Sequence, residues 1–148
     1  MPLSNAEGSS ISQEEIKHLE FIQAIVSRLG NGSFLIKGWT MTVAGVFFGV
    51  AANRPSWKIA AAGILPIVGF WLLDSYFLRQ ERLFRKLYDD VRKPEVDVEL
   101  FSMNVQPYLS VVPWGKVVRS HTMVNFYGIL TLVDIIFVVG AIARSANG

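Results

Sequence analysis

Residues 57–93 read WKIAAAGILPIVGFWLLDSYFLRQERLFRKLYDDVRK, and the change of character partway along this stretch decides the fold. Its first part, 57–78, carries charge only at Lys58 near one end and Asp74 near the other. A helix that crosses a bilayer needs about 20 predominantly apolar residues, and this segment supplies them. From Arg79 onward charges recur at every turn, yet no helix breaker intervenes. Phe84, Leu87, Tyr88 and Val91 fall at i, i+3, i+4 and i+7, a helical apolar stripe. The spacing predicts one helix running on through 79–93 and ended by Pro94. At 1.5 Å per residue the polar extension stands about 20 Å clear of the membrane.

Two further stretches share the apolar character of the first. Residues 34–52, FLIKGWTMTVAGVFFGVAA, hold Lys37 alone, and residues 123–143, MVNFYGILTLVDIIFVVGAIA, hold Asp134 alone, near the midpoint. The chain as a whole is 51% hydrophobic and 18% charged, with a formal charge of +2 over 148 residues. Three buried helices of this kind would need far more polar chain around them to stay soluble, so the expectation is an all-α membrane protein with three transmembrane helices. The same composition excludes disorder of the whole chain. With no Cys there is no disulfide and no thiolate ligand or nucleophile. A net charge this small lacks the basic face that nucleic-acid binding requires.

Connections between the spans set their arrangement. Asn53-Arg54-Pro55-Ser56 is a turn, with Ser56 placed as a helix N-cap, so the first two spans form an antiparallel hairpin. Lys37 and Asp74 lie at matching distances from that turn and hence at similar depth. Either they pair with each other, or each reaches to nearby headgroups. Gly45 and Gly49 make a GxxxG on the first span, and Pro66 is expected to kink the second or loosen its hydrogen bonds there.

Before the first span, residues 1–11 read as a disordered arm and 12–30 as an amphipathic helix. Ser12 and Glu15 form a capping box, and Leu19, Ile22, Ile25, Val26 and Leu29 supply an apolar face. That face suits the stripe on 79–93, although a basic amphipathic helix also suits a membrane surface. Asn31-Gly32-Ser33 is expected to break this helix from the span that follows. No secretory-signal pattern precedes the first span, which is therefore expected to remain as an anchor.

Ten Lys and Arg lie in the N-terminal arm and the 79–122 connection, against Arg54, Lys58 and Arg144 on the opposite side. By the positive-inside rule the N-terminus and 79–122 are cytoplasmic and the C-terminal tail, 144–148, is periplasmic, in a bacterial inner membrane.

Residues 94–122 differ from everything around them. Glu95-Val96-Asp97-Val98-Glu99-Leu100 alternates with period 2, a strand signal; one strand alone is not stable, so the expectation is a short extended segment that either pairs with another copy or lies against the cytoplasmic helices. Prolines at 107 and 113 follow, then a short interfacial helix from Trp114 toward His121. Together with the extension of the second span, this connector offers a surface for a partner or signal, with Arg82, Arg85, Lys86, Tyr88, Tyr108, Trp114, Lys116 and Arg119 as its candidate residues.

Enzymatic chemistry finds no foothold. His18 and His121 are the only histidines and have no metal-ligand spacing, and no phosphate loop or nucleophile elbow is present. No cofactor or metal is expected, and His18 is expected to be solvated. Asp134 is the residue that asks for a function. A carboxylate at mid-membrane costs about 2.5 to 3.5 kcal/mol on insertion scales, and its span offers no basic partner. Tyr127, Thr131 and Asp134 share one helical face. Between protomers of a symmetric oligomer they would line an axis with a ring of carboxylates and form a cation path. Inside a closed bundle, a protonated Asp134 bonded to Thr40, Thr42 or Ser75 is the competing arrangement.

On the strings HLEFIQAIVSRLGNGSFLIKGW, FWLLDSYFLRQERLFRKLYDDVR and LFSMNVQPY, the chain resembles, in a likeness spanning residues 18–143, a group of small, mostly uncharacterised bacterial multi-span membrane proteins found beside TIR-like proteins in anti-phage loci. The resemblance implies an effector that assembles or opens when triggered and disrupts the inner membrane. It assigns no residue a role. The sequence thus leads to an oligomeric pore-forming effector triggered by a cytoplasmic protein or small signalling ligand. The alternative is a non-conducting anchor that recruits a soluble partner through its cytoplasmic helices.

Overall fold

A computed structural model describes residues 12–54 and 56–146. The arm at 1–11, Pro55 of the interspan turn and residues 147–148 lie outside the described residues. Four helices make up the fold: α1 (Gln13–Asn53), α2 (Trp57–Val91), α3 (Trp114–Val118) and α4 (His121–Ala146). A single 3-10 turn at Gln106–Tyr108 interrupts the connector. Helices α1, α2 and α4 are each long and apolar enough to cross a membrane.

Helix length explains the architecture. At 1.5 Å per residue, α1 and α2 measure about 60 and 50 Å and α4 about 40 Å, against a hydrocarbon layer of about 30 Å. Three helices can therefore share the membrane half, whereas only α1 and α2 continue into a polar half, called the head below. The connector, 92–120, occupies the side of the head that has no third helix. Helix α2 is the central element, packed along both α1 and α4.

Ser12 starts α1 as a complete capping box: its hydroxyl accepts from the Glu15 amide while the Glu15 carboxylate accepts from the Ser12 amide. The expected break at Asn31-Gly32-Ser33 does not occur, and α1 is one helix through both halves. Packing supplies the reason. The ring of Phe77 seats against the bare backbone of Gly32, where a Cβ would stand 2.6 Å from the ring edge, and the Ser33 hydroxyl donates to Asp74. Gly costs a helix about 1 kcal/mol relative to Ala, which these contacts offset.

At the far end, Ser56 holds the N-cap position of α2, although its hydroxyl makes no capping bond. The helix runs unbroken through Pro66 and ends at Val91, ahead of Pro94. Gly45 and Gly49 face open space and bring no helix close. Close approach falls instead at Ala44, Ala60 and Gly63, all buried.

Two cores stack along α2. In the membrane half Ala44, Ile67, Met123 and Tyr127 are buried together, with Phe48, Phe70 and Trp71 packed against them. In the head, Leu83, Val112 and Val117 form the second, joined by Tyr108 and Leu109 of the connector. Ile22 and Leu87 are also fully buried. Each such aliphatic side chain contributes about 1.5 to 3 kcal/mol where water is the alternative solvent.

The alternation at 95–100 forms no strand; turns and irregular backbone carry the connector back over the start of α1. This path corrects the expectation for His18, which is 1% exposed. Its Nε2–H donates to the Ser102 carbonyl at 2.9 Å, and its ring lies 5.8 Å from that of Phe101. Phe101 itself sits at φ 61°, the left-handed region that lets the connector reverse there.

Candidate functional site: an intramembrane polar cluster and a basic head groove

At the head end of the membrane half, α1 and α2 bring Lys37 and Asp74 together at 2.6 Å, with the Asp74 side chain fully buried and that of Lys37 21% exposed. Helical spacing recruits a third group: Ser33, one turn before Lys37, accepts from its Nζ at 2.8 Å and donates to the other Asp74 oxygen. Tyr127 arrives from α4, its hydroxyl donating to Asp74 at 3.0 Å and lying 3.3 Å from the Phe70 carbonyl. Its ring stacks on that of Trp71, centroids 5.8 Å apart. One carboxylate of α2 thus gathers donors from both other spanning helices, Ser33 and Lys37 of α1 and Tyr127 of α4. In hydrocarbon, where an unpaired charge is costly, this cross-linking fixes the register of the bundle.

Thr131, the next polar residue on that face of α4, donates to the Tyr127 carbonyl of its own helix at 2.8 Å. Asp134 follows and is 1% exposed. Neither of its carboxylate oxygens has a hydrogen-bond partner among the described residues. Gly63 makes the space, since a Cβ there would stand 2.7 Å from Asp134 Oδ1 and 3.3 Å from Phe47 Cβ. Thr40 and Thr42 donate to carbonyls of their own helix and Ser75 Oγ has no partner among the described residues, so none of these three satisfies Asp134. The Tyr127 and Asp134 side chains turn into the interior of a single chain, as in the closed-bundle arrangement, but without the bond from Thr40, Thr42 or Ser75 to Asp134 which that arrangement expects. The cause is local: Asp74 draws in the Tyr127 hydroxyl, and Gly63 admits the Asp134 carboxyl.

The head residues divide into two groups. Arg82, Arg85, Lys86 and Lys116 line a groove of about 380 Å³ between α2 and α3, with Asp89 as its one acid. Arg85 also pairs with Glu81 at 2.7 Å. Tyr88, Tyr108, Trp114 and Arg119 are not part of it. Tyr88 carries the Arg92 guanidinium over its ring at 5.6 Å, Trp114 is 37% exposed, and Arg119 donates to the Gly115 carbonyl within its own short segment. Tyr108 packs on the head core, where burial and then the nearby Asp90 carboxylate push its hydroxyl up to about 12. The hydrogen bond from Lys93 holds Asp90 below the usual carboxylate range, and the same bond raises Lys93.

A second cavity, about 550 Å³, opens between the start of α1 and the connector, lined by Glu15, His18, Arg92, Lys93, Glu95 and Asp97 among others. No group of His, Asp and Glu that could hold a metal ion occurs among the described residues.

Several structural contributors were silent in the sequence. Ser33 reads there as a helix breaker and is a member of the cluster. Arg79 reads as one more cytoplasmic cation, yet its Nε donates to the Val112 carbonyl at 3.0 Å and ties the connector to α2. Trp71 does the same for α3, donating to the Val118 carbonyl at 3.1 Å. Compared with known protein families, curated proteins and solved structures, the chain matches none.

Proposed function

We propose that this chain is a multi-pass bacterial inner-membrane anchor, with its N-terminus and head in the cytoplasm, that recruits a soluble partner through the head and conducts nothing itself. One observation carries the reading: the charged groups buried within the spans, Asp74 with Lys37 and Asp134, all face the interior of one chain. Among the described residues, no carboxylate of the spans is left on an outer face for a neighbour to share across an aqueous path. What the molecule offers to a partner is the head, with one open cavity of mixed charge and one basic groove. The excess of Lys and Arg on the head side supports the orientation.

The test is membrane potential and dye release in cells overproducing the protein, repeated on liposomes holding the purified chain. Both should remain at the level of vector controls and empty liposomes. Reporters fused at the C-terminus should score periplasmic.

A second reading has its own support in Asp134. A carboxyl group with neither oxygen satisfied inside hydrocarbon is costly, and a triggered oligomer in which α4 turns this residue toward a common axis would hydrate it. That is the pore-forming anti-phage effector implied by the resemblance, with a TIR-like protein or a small ligand as trigger. Depolarisation that appears on overproduction and is abolished by Asp134→Asn would establish it and overturn the anchor.

A further inference from the structure

We propose that the groove between α2 and α3 is a binding site for the phosphate of an acidic phospholipid. Its position comes first. Leu78 is the last apolar residue of the span within α2, and Arg82, Arg85 and Lys86 follow it by 4, 7 and 8 residues, which raises them about 6 to 12 Å along the helix. That height is the phosphate layer of a bilayer whose hydrocarbon ends near Leu78. The facing wall is tied to α2 by two bonds already described, Trp71 to the Val118 carbonyl and Arg79 to the Val112 carbonyl, and Lys116 of that wall lines the groove together with Arg82, Arg85 and Lys86.

Charge and shape then select the ligand. Four cations and one acid, Asp89, line about 380 Å³. Glu81 occupies Arg85, while Arg82, Lys86 and Lys116 have no ion-pair partner among the described residues. Val111, 60% exposed, gives the same groove an apolar edge. A ligand with a phosphate at one end and an apolar body at the other meets both surfaces; a free phosphate or a soluble nucleotide meets only the basic one. The groove is a property of the head wall and holds under either functional reading above.

Native mass spectrometry of the full chain released from detergent micelles tests this, with phosphatidylglycerol, phosphatidylcholine of the same acyl chains, and inorganic phosphate as probes. The expected result is one retained phosphatidylglycerol, no comparable retention of phosphatidylcholine, and no displacement by millimolar phosphate. Retention should weaken about fivefold for each cation removed in Lys116→Gln, then Lys86→Gln, then Arg82→Gln. The charge-matched variant Lys17→Gln/Arg92→Gln/Lys93→Gln, which lies outside the groove, should retain the lipid as the wild type does. Single Lys116→Gln at the exposed wall keeps the comparison informative should the triple variant fold poorly. Equal retention of both lipids, equal loss in the charge-matched variant, or displacement by inorganic phosphate would each overturn the assignment.

Discussion

The Asp74 carboxylate is the residue on which the most depends. It is fully buried and accepts from Ser33, Lys37 and Tyr127, so removing any one donor leaves it short of a partner it cannot replace with water. Breaking a buried ion pair costs about 3 to 5 kcal/mol. Lys37→Met should therefore lower accumulation and the thermal midpoint in detergent sharply, and Tyr127→Phe, which removes one neutral donor, by about 1 kcal/mol. The paired exchange Lys37→Asp/Asp74→Lys should recover part of the loss in the same melts; recovery no better than the single variants would contradict the pairing. Glycines sort by the same logic of contact. Gly32→Val must displace the Phe77 ring and should destabilise by about 1 to 3 kcal/mol, whereas Gly45→Ala enters open space and should be neutral or better in the same assay. The charges of the cluster were legible in the sequence because a lone charge in an apolar run is conspicuous. Ser33 and Gly63 were not, because a small residue becomes informative only once it is known what lies across from it.

For the helices, the readable part was whatever local chemistry controls. The Ser12 capping box starts α1, and the stop before Pro94 ends α2, each set by neighbours in sequence. The continuity of α1 through Asn31-Gly32-Ser33 was not readable, since it depends on Phe77 and Asp74, both more than forty residues away. Amide exchange at Asn31, Gly32 and Ser33 should accordingly be as slow as in the turns on either side. Fast exchange confined to these residues would restore the break. Asn31→Pro should cost about 3 kcal/mol or more. The path of the connector has a related cause: the alternation at 95–100 is a strand pattern without a partner strand, and the segment follows the side chains it can cover, His18 above all. Tyr108 reports on that docking. Its hydroxyl is raised above the ordinary value of 10.0, so the docked connector favours the neutral form. Its contribution to stability is complete below the ordinary value and is lost as pH rises toward about 12. Tyrosinate absorbance of the wild type minus that of Tyr108→Phe should titrate near the upper end of that range, and a difference titrating near 10 would mean the connector is not docked.

For the whole molecule, the decisive quantity is the sign of the interaction between its outer surface and its solvent. Phe34, Leu65, Ile129 and Ile136 are each more than 60% exposed, and they lie on all three long helices. Exposed apolar area of this extent exceeds what a soluble monomer carries, while in hydrocarbon the same surface is at no disadvantage. Leu65 offers the cleanest discrimination, being 75% exposed and remote from both ends of its span. Leu65→Lys disturbs no internal contact of consequence, so its effect measures the solvent alone. If lipid surrounds α2, the substitution should cost about 2.5 to 3.5 kcal/mol of insertion, seen as reduced membrane-fraction yield with the remainder degraded or aggregated. If water surrounds it, the added charge should instead raise the yield of dispersed protein. Because the two solvents predict opposite signs, one fractionation experiment on a single variant decides whether hydrocarbon is the medium in which the Asp74 cluster, the buried Asp134 and the basic groove at the membrane boundary have the energies argued for them.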